Sequence, residues 1–251
     1  MSSDPGQEQE AVDGLTGFLL GRSLASGVLL ASFLAIGPGA LAPWVPAAAL
    51  LFLAAAVTLR APRSARGRAL LAGYGILLAA WAGLALMGRL PADPSRRILF
   101  TLSALAALLT GGDTEGLSGA GILGQRRGLA NHLLVQSLLG GCGILLLAPP
   151  SAGLDALPLR WMLGILLVFH LLMTLALPEL CPEGREREYR AAAARISFSR
   201  LHWVLGVGMG MFLPVLLLVQ PHPGLWVLAG GLVVAALGVE GHLLVWAGRA
   251  P

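Results

Sequence analysis

Lysine is absent from this sequence: all 17 basic residues of the 251 are arginine. Charge of either sign is scarce at 12% of residues, against roughly a quarter in an ordinary soluble domain. Beside 56% hydrophobic residues, so little charge excludes a soluble globular domain. Cysteine is nearly missing too, with Cys142 inside an apolar run and Cys181 in a loop. Two thiolates cannot by themselves hold an iron–sulfur cluster or a structural zinc ion, which take about four ligands. An electron-carrying centre of that kind would have to sit on another subunit. The stretch Met1 to Asp13 carries Asp4, Glu8, Glu10 and Asp13 but no arginine. It lacks the basic start of a secretory signal and predicts a retained first helix. The isoelectric point near 10.0 does not mark a nucleic-acid partner, because the arginines are scattered through loops instead of forming one basic face.

What the chain does have is long apolar runs, and a membrane-spanning helix needs about 20 mostly apolar residues. Runs bounded by Arg, Pro and Gly give candidate spans at Gly14–Ile36, Pro38–Leu59, Ala69–Met87, Ile98–Gly124, Gly128–Ala148, Trp161–Pro178, Leu201–Gln220 and Pro223–Gly248. Alternate connections hold twelve arginines on one side and four on the other, Arg89, Arg96, Arg97 and Arg160, with Arg22 inside the first span. The positive-inside rule then places both termini in the cytoplasm. The expected fold is all-α, a polytopic membrane helix bundle of about eight transmembrane helices. It forms one integral domain over 1–251, with 1–13 a polar N-terminal tail and 179–200 a charged cytoplasmic loop or helix. That connection reads ELCPEGREREYRAAAARISFSR, with Glu186 and Arg190 spaced as an i,i+4 pair. It predicts a surface helix, either a docking surface for a partner subunit or a solvated linker.

An ionisable side chain in hydrocarbon is costly and marks a functional candidate whose partner must be found. At about 1.5 Å per residue, Arg22, Asp113, Glu115, His132, Gln136, His170, Glu240 and His242 fall within one layer, about 6 to 16 Å below the cytoplasmic surface. Arg22 requires an anion, and the pattern predicts a pairing with Glu115 or Asp113. The segment TGGDTEGLSG disfavours continuous helix and predicts a broken span lining a cavity, or a loop if the fourth span is shorter. His132 and Gln136 share one helix face and suit hydrogen bonds to a carbonyl or hydroxyl head group. Asp113, Glu115 and His132 are candidate proton carriers, and Arg22, His132 and Gln136 candidate quinone-binding residues. His170, Glu240 and His242 are secondary candidates. For His170 a simple hydrogen-bonded helix histidine is the competing reading, and for Glu240 and His242 a reach to the surface. His202 and His222, at helix ends, read as interfacial.

In the C-terminal third, LLMTLALPEL, the charged loop ending AAAARIS, LHWVLGVGMGMFLPVLLL and the closing GVEGHLLVWAGRAP occur in that order. The matching elements are Pro178-Glu179-Leu180, Ala194-Arg195, Gly206 to Pro214, and Glu240 followed by Val245-Trp246-Ala247-Gly248. This order resembles the membrane subunits of the polysulfide reductase and dimethyl sulfoxide reductase type, the NrfD/DmsC-like group, and the opening GFLLGRSLASGVLLA is similar to that family's glycine-rich first helix. Met87-Gly88-Arg89-Leu90-Pro91 is a reduced form of the family's Leu-Gly-Arg-Pro turn. The Ser-Pro segment that usually follows is replaced by GGDTEGLSGAG. The resemblance implies an inner-membrane anchor of a bacterial or archaeal complex, without haem or metal of its own. It would hold an iron–sulfur subunit and a molybdopterin catalytic subunit and exchange electrons with menaquinone or ubiquinone. Two alternatives remain from the residues alone: a small multi-pass transporter or permease whose broken span binds its substrate at mid-membrane depth, and a b-haem cytochrome anchor using histidines on the fifth, sixth and eighth spans.

Overall fold

The structure, a computed structural model, describes residues 5–36, 44–60, 64–89, 95–125, 128–148 and 155–249, and within these the side chains of 5–9, 36, 115–119 and 178 are outside the description. Arg63, Arg126 and Arg127 of the arginine tally, Pro38 at the start of the second span and Leu90-Pro91 of the family-like turn all lie outside the described residues.

Helices α1 (Pro5–Ile36), α2 (Trp44–Leu59), α3 (Ala65–Leu86) and α4 (Ser95–Gly111) are followed by a 3-10 segment at Glu115–Gln125. Then come α5 (Leu129–Leu147), α6 (Ala156–Leu175), a 3-10 turn at Leu177–Glu179, α7 (Glu186–Ser197), α8 (His202–Val219) and α9 (Pro223–Arg249). No strand occurs among the described residues. Six helices, α1, α3, α5, α6, α8 and α9, are long and apolar enough to cross a membrane. Helices α2 and α4 are shorter, at 16 and 17 residues. The polar stretch read as an N-terminal tail is helical from Pro5 onward. The fourth span is not one continuous helix to Gly124. Helix α4 stops at Gly111, where two glycines remove the side-chain restraint on the backbone, and the chain continues as the 3-10 segment, reversing at Gly121 with φ of 63°.

Burial sorts the helices. In α1 the most apolar window is 78% buried, in α6 only 22%. Helix α1 is the central post, packing most extensively on α5 and then on α2, α4 and α9. Outward faces carry Leu51, Ile76, Leu105, Ile165, Phe169 and Leu216, all exposed. A soluble monomer does not show so much apolar surface; hydrocarbon covers it. Two aromatic belts give the thickness. Trp226 and Trp246 of α9 are twenty residues apart, about 30 Å along a helix, which equals the hydrocarbon core of about 30 Å. At one end Trp226 donates to the Gln220 carbonyl at 2.7 Å and lies under the Arg160 guanidinium, 4.9 Å from the ring centre. At the other, Trp203 donates to the Ser197 carbonyl at 2.6 Å, and Trp203 and Trp246 are both exposed. Indoles with a wet polar edge and an apolar body settle at such boundaries.

Inside hydrocarbon, helices gain little from burying apolar area against one another, so close backbone approach and internal hydrogen bonds hold the bundle. Gly27 of α1 and Gly141 of α5 meet backbone to backbone, and a Cβ on either would overlap the other helix's main chain. The Tyr74 hydroxyl of α3 donates to the Ala25 carbonyl of α1 at 2.8 Å, and the Trp81 indole donates to Ser103 Oγ of α4 at 3.1 Å. The loop 179–200 is ordered by α7, whose Tyr189, Ala192, Ala193 and Ile196 are buried against the 3-10 segment and the end of α9. At its start Glu186 accepts from the Gly184 N–H at 3.0 Å. Backbone donors there and the nearby Arg190 hold the Glu186 carboxyl below the usual carboxylate range.

Substituting Gly141→Val is expected to destabilise the bundle by about 1–3 kcal/mol or more, the cost of overpacking. Gly73→Ala, where a Cβ meets nothing within 4 Å, should leave stability equal or raised. Thermal unfolding in one detergent compares the two; equal loss in both would show that the α1–α5 approach is not close.

Candidate functional site

Four helices contribute polar side chains to one place inside the arginine-rich end of the bundle. Glu240 of α9 is a turn and a half inward from Trp246, about 9 Å along the helix. Its Oε2 accepts from His170 Nε2 of α6 at 2.6 Å and, more weakly, from Gln136 Nε2 of α5 at 3.5 Å. The His132 ring of α5 rests against the His170 ring with centroids 5.0 Å apart. His202, the first residue of α8, faces Glu240 across Gly206, where a Cβ would lie 3.6 Å from both Glu240 Oε1 and His202 Nδ1. His132, His170 and His202 are buried, and Glu240 is nearly so. A small, partly open cavity of about 30 Å³ adjoins them, lined by His132, Gln136, His202 and Glu240 and walled by apolar side chains including Leu177, Ile196 and Leu243.

The local sequence explains the convergence. Gly206 and Gly210 follow His202 at i+4 and i+8, so one stripe of α8 has almost no side chain and lies close on α9. A Cβ on Gly210 would overlap Ala236, and Gly206 stands beside Glu240. Continuing the antiparallel register one turn brings His202 into the interior. From His202 to Phe212 the backbone is wound as a π-helix, and only from Leu213 does it become α. Pro214, which offers no N–H, and the glycines before it accommodate the wider turn. Such windings recur at functional sites because they re-aim side chains.

A second polar cluster lies between α1, α4 and α5. Arg22 is 1% exposed and its Nη1 is 3.5 Å from Asp113 Oδ2, the carboxylate just past the end of α4. Ser26, one turn on from Arg22, and Ser137 of α5 flank Gly111, beside the buried Thr110. None of Arg22 Nε, Nη1, Nη2, Ser26 Oγ, Ser137 Oγ or Thr110 Oγ1 has a hydrogen-bond partner among the described residues. Buried donors of that kind call for ordered water.

The expected layer is therefore two sites, not one hollow. The Arg22–Asp113 pairing is present, but neither residue lines the cavity that holds His132 and Gln136. Successive residues of a helix point about 100° apart: on α5, Gln136 faces Glu240 while Ser137 faces the Arg22 cluster. This removes Arg22 and Asp113 from the proposed head-group pocket. The side chain of Glu115 lies outside the described residues. His242 is also displaced, half-exposed at the bundle's edge with Nδ1 3.7 Å from Asp13 Oδ1. Glu240, whose alternative was a reach to the surface, turns inward instead. His170 is a hydrogen-bonded helix histidine, and its partner makes it part of the site. His202 was read as interfacial because it begins a span; the glycine stripe after it was the available signal. His222 is exposed at the opposite end.

No group of three or more His, Cys, Asp or Glu side chains among the described residues is spaced to hold a metal ion. No protein-family model matches the sequence, and no curated protein matches it either.

Asp113→Asn leaves a buried guanidinium without its anion and is expected to cost about 3–5 kcal/mol of stability. Arg22→Met combined with Asp113→Leu, which removes both charges, should recover most of that loss in thermal unfolding. If the double variant is as unstable as Asp113→Asn alone, the pair does not act as a unit.

Proposed function

We propose that the chain is the membrane anchor and quinone-reactive subunit of a multi-subunit molybdopterin and iron–sulfur oxidoreductase, passing electrons between the quinone pool and an iron–sulfur partner subunit. The observation that carries the reading is the cavity at Glu240: titratable groups from four helices gathered against apolar walls, within reach of one membrane surface. Glu240 Oε1, His170 Nδ1 and His202 Nδ1 are buried and have no hydrogen-bond partner among the described residues, so the donor and acceptor set suits a head group bearing two oxygens on an apolar ring. The resemblance of the C-terminal third to the NrfD/DmsC-like group supports the same reading. In it the bundle has eight spans, with α2 and α4 completing the six long helices. Both termini lie in the cytoplasm of a bacterial or archaeal inner membrane, and the quinone is menaquinone or ubiquinone.

A quinol bound there would supply two electrons for the partner's cluster and two protons for the protein to take up. Glu240 Oε1 is placed to accept a hydroxyl proton while His170 holds Oε2 and fixes the carboxylate's orientation. His202 lies beside Glu240 across Gly206 as a second proton acceptor, or as the donor to a carbonyl oxygen in the reverse direction. Gln136 supports the same oxygen, Oε2, from α5, and the His132 ring buttresses His170. Leu177, Ile196 and Leu243 exclude water from the ring face, which strengthens each of these polar contacts. Glu115 remains a further candidate carrier in this scheme.

One feature favours the transporter alternative: α8 departs from α-helix over His202–Phe212, a second irregular segment besides the break after α4. In a two-half arrangement of α1–α4 and α5, α6, α8, α9, however, those segments do not occupy corresponding positions, as repeat-built transporters require. The haem-anchor alternative is disfavoured because His132 and His170 are in ring contact, leaving no gap between them for a porphyrin.

Gentle purification is expected to bring iron–sulfur and molybdopterin subunits with the chain, and a lone protein that moves a solute into vesicles would contradict the reading. In the purified complex, Glu240→Gln and His202→Ala should each weaken binding of a fluorescent quinone analogue about tenfold, equivalent to about 1.4 kcal/mol. His242→Ala should not. Equal affinity in all three proteins, with unfolding temperatures unchanged, would place the quinone elsewhere.

A further inference from the structure

At the same end of the bundle, but outside the Glu240 cavity, the 3-10 segment, α7 and the last turn of α9 enclose an open groove of about 590 Å³. Among the described residues three guanidinium groups border it, those of Arg185, Arg195 and Arg249, with one carboxylate, Glu188, which is ion-paired with Arg185. Arg185 Nε donates to Glu188 Oε2 at 3.0 Å and its Nη1 to Gln125 Oε1 at 3.2 Å, tying the start of α7 to the 3-10 segment. Arg195 Nη1 reaches the Ala247 carbonyl at 3.4 Å, near the end of α9. Arg185 Nη2 also donates to Glu188 Oε2. These bonds hold Arg185 and Arg195 along the groove; Arg185 is still 46% exposed, and two of its five N–H donors remain beyond the three bonds it makes. The remaining wall is apolar, with Ile122, Ala191 and Ala192.

The depth of the groove is set by independent side chains. Trp246 is one turn before Arg249, and Trp203 donates to the last residue of α7. Both indoles are exposed, as residues at the hydrocarbon boundary are. The groove therefore lies at head-group level, cationic on one side and apolar on the other, beside the lipid-facing surface of α8 and α9.

We infer that this groove is a binding site for the head group of an anionic phospholipid, its phosphate held by Arg185, Arg195 and Arg249 and its glycerol region resting on the Ile122 and Ala192 wall. The site is separate from the quinone reading and stands whether or not that reading holds. Its role is to fasten α7 and the 3-10 segment, which have no hydrocarbon span of their own, to the membrane surface. An acidic protein surface would satisfy the charges but not the apolar wall at that depth.

The test is native mass spectrometry of the full-length protein released from nanodiscs containing equal phosphatidylglycerol and phosphatidylcholine. At about fivefold per arginine near an anionic surface, the wild type should retain phosphatidylglycerol over phosphatidylcholine by about tenfold or more. Raising the salt concentration before release should reduce that preference. Arg185→Gln, Arg195→Gln and Arg249→Gln together should abolish it, and Arg249→Gln alone should reduce it severalfold. Removing three charges at the other end, with Arg89→Gln, Arg96→Gln and Arg97→Gln, should leave it unchanged. If the wild type holds both lipids equally, or the opposite-end variant loses the preference as fully, the inference is overturned. Displacement of the retained lipid by millimolar inorganic phosphate would also overturn it, by identifying a free-anion site in place of a lipid site. The wild-type competition and its salt dependence decide the matter even if the triple variant does not fold.

Discussion

Glu240 is a carboxylate inside a bundle built of leucine, alanine and glycine, and the placement of α5, α6, α8 and α9 around it follows from the cost of putting it there. A carboxylate in hydrocarbon without a partner costs several kcal/mol or changes its protonation state. Here its neighbours are His170 at 2.6 Å, Gln136 at 3.5 Å and His202 across Gly206. A partner on one helix would neutralise the carboxylate. Partners on three others, His170 and His202 buried and Gln136 partly so, tie four helices to one point, and the gap left among them is the cavity. The buried ionisable residues therefore also set the geometry of this half of the bundle.

Glycine makes that geometry accessible. The α8 stripe of Gly206 and Gly210 brings α9 close, and Gly27 with Gly141 does the same for α1 and α5. Membrane helices have no strong apolar force pulling them together, so small residues decide which faces meet. In α8 the same glycines permit the π winding that starts at His202. Small residues and ionisable residues thus act together: the first allow backbone approach, the second fill what space remains with polar groups that need one another. The Arg22 cluster repeats the pattern between α1, α4 and α5, where Gly111 makes room for Ser26 and Ser137.

Apolar runs and arginine punctuation were enough to read an all-helical membrane bundle, because a spanning segment has to be apolar along its whole length. Boundaries were less legible. Helix α4 ends at Gly111, where the glycine pair runs into the polar Asp113-Thr114-Glu115, although hydropathy alone would continue the span through the 3-10 segment. Depth along each helix could be counted, and it brought Glu240, His170, His132 and Gln136 to one level. Rotation could not be read from depth. Arg22 and Asp113 share that level but face another seam, and the neighbouring residues Gln136 and Ser137 of α5 diverge to the two sites. His202 was legible only through the spacing of the glycines after it, a packing signal that hydropathy does not carry. Hydropathy alone likewise left α7 open between a docking surface and a solvated linker, whereas its buried Tyr189 and Ile196 tie it into the bundle.

The most direct test of a head-group pocket at Glu240 is a cryo-electron-microscopy map of the protein in lipid with a tight-binding quinol-site inhibitor. Planar density is expected between His202, Glu240 and the wall of Leu177 and Ile196, within hydrogen-bond distance of Glu240 Oε1. Density for the inhibitor at another seam, with Glu240 and His170 still paired and the cavity closed, would contradict it.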